Sequence, residues 1–373
     1  MAGLGACHRA SSRPAPDNSV AAGLPESDAR PVTPLPLPPL PAGLPASWAA
    51  RRPTADDIPA VHALCAANDE AVLGFTDVSL VDIEADLTAP NADLTRNQAV
   101  VVDEDADSRL VLWAWIEDHS AGRTMVDLYL DRMLDDATSD ALAAWGWAFV
   151  AARAEEIAAT RGVDVTTLNA GTNDGDTAAE RWVSREGFAR ARTFWRMGRA
   201  VGPDDAFPDP GPGVVVRPFA VEGDAHKRDR RLAYEIHEES FSEHWNFHAA
   251  SYDAWWTRWQ SSAGLDFDLW RIAEVDGVPA GLLIATTQMA DEGALFVDTL
   301  GTLSTARRRG VGNALLHTSF ADARRRGLTH VRLNVDSLNQ TGATSLYEAV
   351  GMRVEFAIHG WQREIAARVP AAG

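Results

Sequence analysis

Cysteine is nearly absent from this 373-residue chain, which has only two: Cys7 in a proline-rich leader and Cys65 in an apolar helical pattern. Neither stands at metal-ligand spacing or has an evident disulfide partner, so a disulfide scaffold and a cysteine-built metal centre are excluded. Residues 1–30 contain no apolar run of signal-peptide length, and no uncharged stretch approaches the roughly 18 residues of a membrane span. Basic residues are in deficit, 34 against 53 acidic ones, for a formal charge of −19. Affinity for nucleic acid rests on neutralising phosphates with Lys and Arg, so this balance argues against a nucleic-acid partner. These absences predict a soluble, cytoplasmic protein with no metal, no nucleic acid and no membrane partner. An acidic surface would also draw in a cationic small molecule, although such surfaces commonly serve only solubility.

What is present is a globular composition. Hydrophobic residues make up 46% and aromatics 8%, with 13 tryptophans, and the length exceeds the usual single-domain range. Residues 1–46 are rich in Pro, Ala, Ser and Gly, with Pro34-Leu35-Pro36-Leu37-Pro38-Pro39-Leu40-Pro41 at their centre, and are expected to be a disordered leader. A docking ligand for an SH3-type module is the alternative, but few basic residues flank the prolines. A second break, 202–213, consists almost wholly of turn-forming residues and reads as a linker.

The halves on either side of that linker repeat one another. Arg161-Gly162 followed by Val165-Thr166-Thr167-Leu168-Asn169 resembles Arg326-Gly327 followed by Val331-Arg332-Leu333-Asn334. Downstream, Ala178 to Val183 leading to Gly187-Phe188 parallels Ala343 to Tyr347 leading to Gly351-Met352. Each half opens on a β-type segment ending in Arg-Pro, Arg52-Pro53 and Arg217-Pro218. Duplication predicts domains at 47–201 and 214–373. In the second, periodicity predicts strand 214–217, helices near 226–240 and 251–260, strands 269–275 and 279–287 joined by an Asp276-Gly277 turn, and strand 294–303. Helix 311–326, strand 329–335, helix 341–350 and strand 352–365 follow, a mixed α/β order.

The chemistry concentrates after strand 294–303, at Arg307-Arg308-Arg309-Gly310-Val311-Gly312. Glycines let a backbone approach an anion, and the unpaired amides and positive dipole end of the following helix face it. A bare Gly-x-Gly before a helix is equally an ordinary capping turn; three arginines beside it favour a pyrophosphate site, although Arg308 or Arg309 could simply be solvated. A dinucleotide fingerprint is excluded, because Leu315 stands where its third glycine belongs.

The pattern Arg-x-x-Gly-x-Gly after a strand, then Asn339 through Leu346-Tyr347 to Gly351-Met352, resembles motifs A and B of the GNAT superfamily of acyl-coenzyme A dependent N-acyltransferases over roughly 214–366. The resemblance implies an α/β fold of two tandem GNAT-like mixed-sheet domains, laid out like the tandem proteins of the mycothiol synthase type. It implies acetyl-coenzyme A as cosubstrate and a small-molecule amine as acceptor. It places Leu300, Gly301 and Thr302 on a splayed strand pairing with the pantetheine arm, Arg307, Arg308, Arg309, Gly310, Val311, Gly312 and Asn313 on the pyrophosphate, and Asn339 on the pantetheine from the other side. Tyr347 would face the coenzyme sulfur.

A phenol near pKa 10 can donate to a departing thiolate near 8.5, which supports the Tyr347 role; a packed aromatic is the alternative. An amine attacks only when neutral, and Asp298, alternating with Leu300 and Thr302, is the candidate base. Many relatives carry a Glu two positions earlier, where this sequence has Phe296. Glu243, His244 and Trp245 are the candidate acceptor contacts, interhelical packing being the alternative. In the first half, Asp135 to Leu142 replaces the glycines and arginines with acidic and hydroxyl side chains that would repel a pyrophosphate, and Val183 takes the Tyr347 position. That copy is expected to be degenerate. Two other readings compete: a coenzyme A binding or sensing protein without transfer, and a nucleic-acid patch built from 307–309 and 324–326. The oligomeric state is left open.

Overall fold

A computed structural model describes residues 36–368, except 89–91, 119–122, 243–246, 248, 261, 263 and 340–341. The first half of the sequence forms β1 (Trp48–Arg51), α1 (Ile58–Leu73), α2 (Leu80–Thr88), β2 (Gln98–Asp103), β3 (Arg109–Asp118), β4 (Arg123–Leu130), α3 (Asp136–Arg161), β5 (Val165–Asn173), α4 (Thr177–Arg185) and β6 (Ala189–Ala200). The second half forms β7 (Val214–Pro218), α5 (Gly223–Phe241), α6 (Tyr252–Gln260), β8 (Arg271–Val275), β9 (Val278–Thr286), β10 (Ala294–Thr302), α7 (Val311–Arg325), β11 (His330–Asp336), α8 (Ala343–Ala349) and β12 (Arg353–Ala366). The mixed α/β order expected from the sequence is the order observed. The Asp276-Gly277 turn joins β8 to β9, with positive φ at both residues.

Two compact units divide the chain inside strands and not in the 202–213 segment. The N-terminal unit runs to Ala191 and resumes at His359; the C-terminal unit is Arg192–Ile358. In the N-terminal unit β1 to β4 pair antiparallel, β4 and β5 pair parallel, and residues 359–366 of β12 lie beside β5. There Gln362 Nε2 donates to Asn169 Oδ1 at 2.9 Å and Trp361 Nε1 to Thr172 Oγ1 at 2.9 Å. In the C-terminal unit β7 to β10 pair antiparallel, β10 and β11 pair parallel, and β6 pairs antiparallel with β11 from Phe194 against Asp336 to Ala200 against His330. Each half therefore completes its own unit except for the last strand. Hydrophobic alternation marks a segment as a strand but carries no record of its partner, so this exchange is a tertiary property.

Each unit has its own core. In the N-terminal unit Leu142, Phe149 and Val150 of α3 pack on Val111, Leu112 and Ile116. In the C-terminal unit Val311, Leu315, Leu316 and Phe320, recurring at helical spacing along α7, pack on Leu283, Ala285, Leu295 and Val297 of one sheet face. Trp255 and Trp259 of α6 pack on Trp270, Leu282 and Ile284 of the other. Residues 1–35 of the expected leader lie outside the described residues. Its remaining segment differs from the expectation of disorder: Leu37, Leu40 and Leu44 pack on the N-terminal core, and Trp145 Nε1 donates to the Pro38 carbonyl at 2.9 Å. Leucines interleaved with prolines on an extended backbone provide an apolar edge without needing helix or sheet.

The duplication is visible in hydrogen bonds as well as in residue types. The Val163 amide returns to the Ala158 carbonyl and the Leu328 amide to Ala323, closing α3 and α7 through Gly162 and Gly327, both at positive φ. The Phe188 amide likewise returns to Val183, and Met352 to Tyr347. Val183 and Tyr347 are thus equivalent positions.

Candidate functional site

β10 and β11 are parallel partners only from Ala294 against His330 to Val297 against Leu333. Beyond those residues the strands part, while β10 stays paired with β9 as far as Thr302. A β-bulge causes the change: Val297 lies opposite Ala285 and Thr299 opposite Ile284, so Asp298 is an extra residue. The bulge also reverses which side chains face α7. Leu295 and Val297 do so before it and Leu300 after it. Simple alternation through the strand predicts no such reversal. The edge of β10 past Val297 has no β11 register partner among the described residues, so its peptide groups are open to an extended ligand with amides of its own.

A cavity of about 340 Å³ fills the opening between the two strands. Val297, Asp298, Leu300, Gly301 and Thr302 line one wall; Leu333, Asn334, Val335, Asp336 and Asn339 line the other. The start of α7 stands at its mouth with Arg307, Arg308, Gly310, Val311, Gly312 and Asn313, and Tyr347 and Leu346 come from α8. Gly310 is the N-cap of α7 with φ 85°, no side chain caps the helix, and the first intrahelical bond runs from the Ala314 amide to the Gly310 carbonyl at 3.0 Å. The amides ahead of Ala314 and the dipole end therefore face the cavity mouth. Arg308 adopts φ 63°, uncommon for a residue with a side chain. A Cβ on Gly312 would stand 2.7 Å from Leu346 Cδ2 and 3.8 Å from Thr302 Oγ1, so this glycine lets the start of α7 pack against Leu346 of α8.

Of the residues singled out in the sequence, Asp298, Leu300, Gly301, Thr302, Arg307, Arg308, Gly310, Val311, Gly312, Asn313, Asn339 and Tyr347 share this cavity. Arg309 does not line it, and its guanidinium donates to Asp276 in the β8–β9 turn at 3.1 Å. Glu243, His244 and Trp245 lie outside the described residues. Tyr347 is buried, and burial pushes its phenol pKa up from the ordinary value, so the hydroxyl stays protonated through the alkaline range. Asp298 accepts a hydrogen bond from Thr299 Oγ1 at 3.0 Å.

Among the lining residues that sequence reasoning missed are Ser240, Phe194, Asn334 and Asp336. Ser240 is buried on α5 against Gly301, with no partner for its hydroxyl among the described residues. Phe194 comes from β6, and Asn334 and Asp336 from the far wall. Arg196 of β6 donates through Nε to Asn334 Oδ1 at 2.7 Å and lies 5.4 Å and 5.3 Å from the Phe296 and Phe356 ring centres. Only spatial neighbourhood, of α5 with β10 and of β6 with β11, could have singled these residues out.

In the N-terminal unit the corresponding helix end is closed. Asp135 caps α3, accepting from the amides of Ala137 and Thr138 at 3.0 Å each. Hydrogen bonds, first from the Thr138 hydroxyl, hold its carboxyl below the usual range. Asp140 is bound by Arg181, Arg185 and the Trp182 indole. A carboxylate of the chain itself thus occupies the amides that remain open in α7. Among the described residues one group could hold a metal ion: Asp174, Glu180 and His359, whose ligand atoms lie within 4.8 Å of one another. The Arg190 guanidinium already packs against both His359 ring nitrogens and supplies a cation there. No helix among the described residues is long and apolar enough to cross a membrane.

Residues 231–352 match the sequence model of the acetyltransferase (GNAT) family. No curated protein matches the chain. A solved GCN5-related N-acetyltransferase from Sphaerobacter thermophilus has a similar structure, with a TM-score of 0.73 and 24% identity over 87% of this chain and 98% of that one. A tandem GNAT protein from the clavulanic acid biosynthesis pathway aligns with a TM-score of 0.61 and 16% identity, over 86% of this chain and 100% of that one. Spans of this length take in both halves of the sequence, so the tandem fold is shared, while identities this low carry the fold alone.

Proposed function

We propose that this chain, whose C-terminal unit carries an acetyltransferase domain of the GNAT family and hence a fold for acyl transfer from acyl-coenzyme A, acetylates a primary amine on a small molecule. The acetyl group passes directly from acetyl-coenzyme A to the amine within a ternary complex. One observation carries the reading: the parting of β10 from β11 joins an uncapped helix end, a buried phenol and a carboxylate in one cavity. The amides of 310–313, with Arg307 and Arg308, would hold the pyrophosphate, and Leu300, Gly301, Thr302 and Asn339 the pantetheine arm. Arg309, held by Asp276, would contribute long-range charge only.

Asp298 would accept the proton that an ammonium must lose before it attacks, directly or through a water. The backbone amide near Thr302 would polarise the thioester carbonyl. As the carbon–sulfur bond breaks, Tyr347 would stabilise the departing thiolate by hydrogen bonding, and the thiolate would take up the proton that the nitrogen loses on becoming an amide. The raised pKa of the Tyr347 phenol makes a retained hydrogen bond a better description than complete proton transfer, since a thiol near 8.5 is the stronger acid.

A thiol-release assay over a panel of primary amines tests this. Wild type should release coenzyme A in an amine-dependent way, and Tyr347→Phe should lower kcat by about 100-fold, the lower range for removing one donor to a developing anion, with little change in acetyl-coenzyme A affinity. Tight binding of acetyl-coenzyme A without turnover on any amine would make the protein a coenzyme A binder instead. An unchanged rate in Tyr347→Phe would remove the thiolate-stabilising role.

A further inference from the structure

The far wall of the cavity is held by a strand from the other half of the sequence. Past Leu333, β11 has lost β10, and Asn334, Val335 and Asp336 keep register only with Arg196, Trp195 and Phe194 of β6. The Ser337 amide adds a bond to the Thr193 carbonyl at 2.9 Å. Asn334 is fixed further by Arg196; because a guanidinium only donates, the Asn334 oxygen must face it, which assigns the orientation of the amide. β6 precedes the linker and lies outside residues 231–352, the segment that matches the family model. It nevertheless places a ring in the cavity: Phe194 is buried and lines the same space as Asp298 and Phe241.

We infer that Phe194 determines acceptor specificity, its ring forming an apolar wall for the carbon skeleton next to the reacting nitrogen, so that arylalkylamines are preferred to small hydrophilic amines. This rests on the proposed amine acetylation. The argument is one of placement. Of the two carboxylates that line the cavity, Asp336 accepts from the Leu338 amide at 2.9 Å and lies 3.8 Å from the Arg192 guanidinium, so Asp298 is the one suited to an ammonium group; the surfaces that share its space include Phe194, Phe241 and Val297. A hydrophilic acceptor would leave those surfaces wet, whereas a flat ring removes them from water and can stack on an aromatic wall. The family-matched segment supplies Phe241 and Val297 but not the Phe194 ring.

The test uses the full-length chain with acetyl-coenzyme A and two amines, 2-phenylethylamine and ethanolamine. Wild type should favour 2-phenylethylamine in kcat/KM. Phe194→Ala should reduce that preference by about tenfold or more, within the range expected when an apolar contact is deleted, while the Kd for acetyl-coenzyme A stays within about twofold. Phe194→Tyr, which keeps the ring, should retain the preference. If Phe194→Ala fails to fold, Phe194→Leu, which keeps apolar bulk without the ring, should still lower the ratio. Transfer to both amines with the same ratio in wild type and Phe194→Leu overturns this inference and leaves the acetylation intact. Bound acetyl-coenzyme A with no transfer to any amine overturns both.

Discussion

Gly281 in β9 shows how much one missing side chain arranges. A Cβ there would stand 2.6 Å from Val311 Cγ1 and 2.9 Å from the Gly301 carbonyl oxygen. Val311 is the first residue of α7 and Gly301 lies on the cavity wall, so Gly281 lets the anion-facing helix end sit directly on the sheet. Gly281→Val should therefore destabilise the protein by about 1–3 kcal/mol, the usual range for overpacking, and weaken acetyl-coenzyme A binding by displacing the start of α7. Denaturant unfolding and titration calorimetry would check the two effects separately. Gly310 and Gly312 were legible because they form a motif. Gly281 was not, because its constraint comes from residues 20 and 30 positions away that only folding brings together.

At the scale of elements, α3 and α7 end alike and begin differently. Both close through a glycine at positive φ, but α3 is capped by Asp135 whereas α7 has an uncapped glycine. Asp135→Ala should lower the thermal unfolding midpoint, as loss of an N-cap does. It should leave acetyl-coenzyme A affinity unchanged, because Asp135 is not among the residues that line the cavity. Thermal melts with and without acetyl-coenzyme A would show an equal ligand-induced shift in variant and wild type. The contrast was readable in the sequence, since acidic residues at 135, 136 and 140 occupy the place of glycines and arginines. The bulge at Asp298 was not readable. Nothing in Val297-Asp298-Thr299 marks an extra residue, and the reversal of facing along β10 follows from its pairing with β9.

For the molecule as a whole, each unit ties its first strand to the helical region that follows it through a bidentate arginine–aspartate pair. Arg51 grips Asp57 at 2.7 and 2.6 Å, and Arg217 grips Asp229 at 2.7 and 2.9 Å. Burial pushes the Asp229 carboxyl up, but hydrogen bonds from the Arg217 guanidinium and the Ala220 amide outweigh it and hold the group below its ordinary value; Asp57 is lowered in the same way through Arg51 and Thr54. A carboxyl depressed in the folded state contributes stability that is present above its unfolded pKa, about 4, and is lost as pH falls through the folded value. Stability should therefore decline below about pH 4. The gap between wild type and Asp229→Asn should be constant near neutrality and narrow on acidification, measured as unfolding midpoints from pH 7 to pH 3. A gap that widened would reverse the assigned sign.

The sequence by itself determined the element order, the duplication, the open helix end in one half and its acidic replacement in the other, because periodicity, glycine placement and local charge act over a few residues. It also supplied half of the cavity lining, since the loop at 307–313, Asn339 and Tyr347 lie close along the chain. Only the tertiary structure decided which unit the last strand of each half joins, where β10 parts from β11, and that Phe194 lines, and Arg196 supports through Asn334, a cavity otherwise built from residues 240–347. Strand pairing is a long-range choice made by backbone groups common to every residue, so side-chain pattern alone leaves it unspecified.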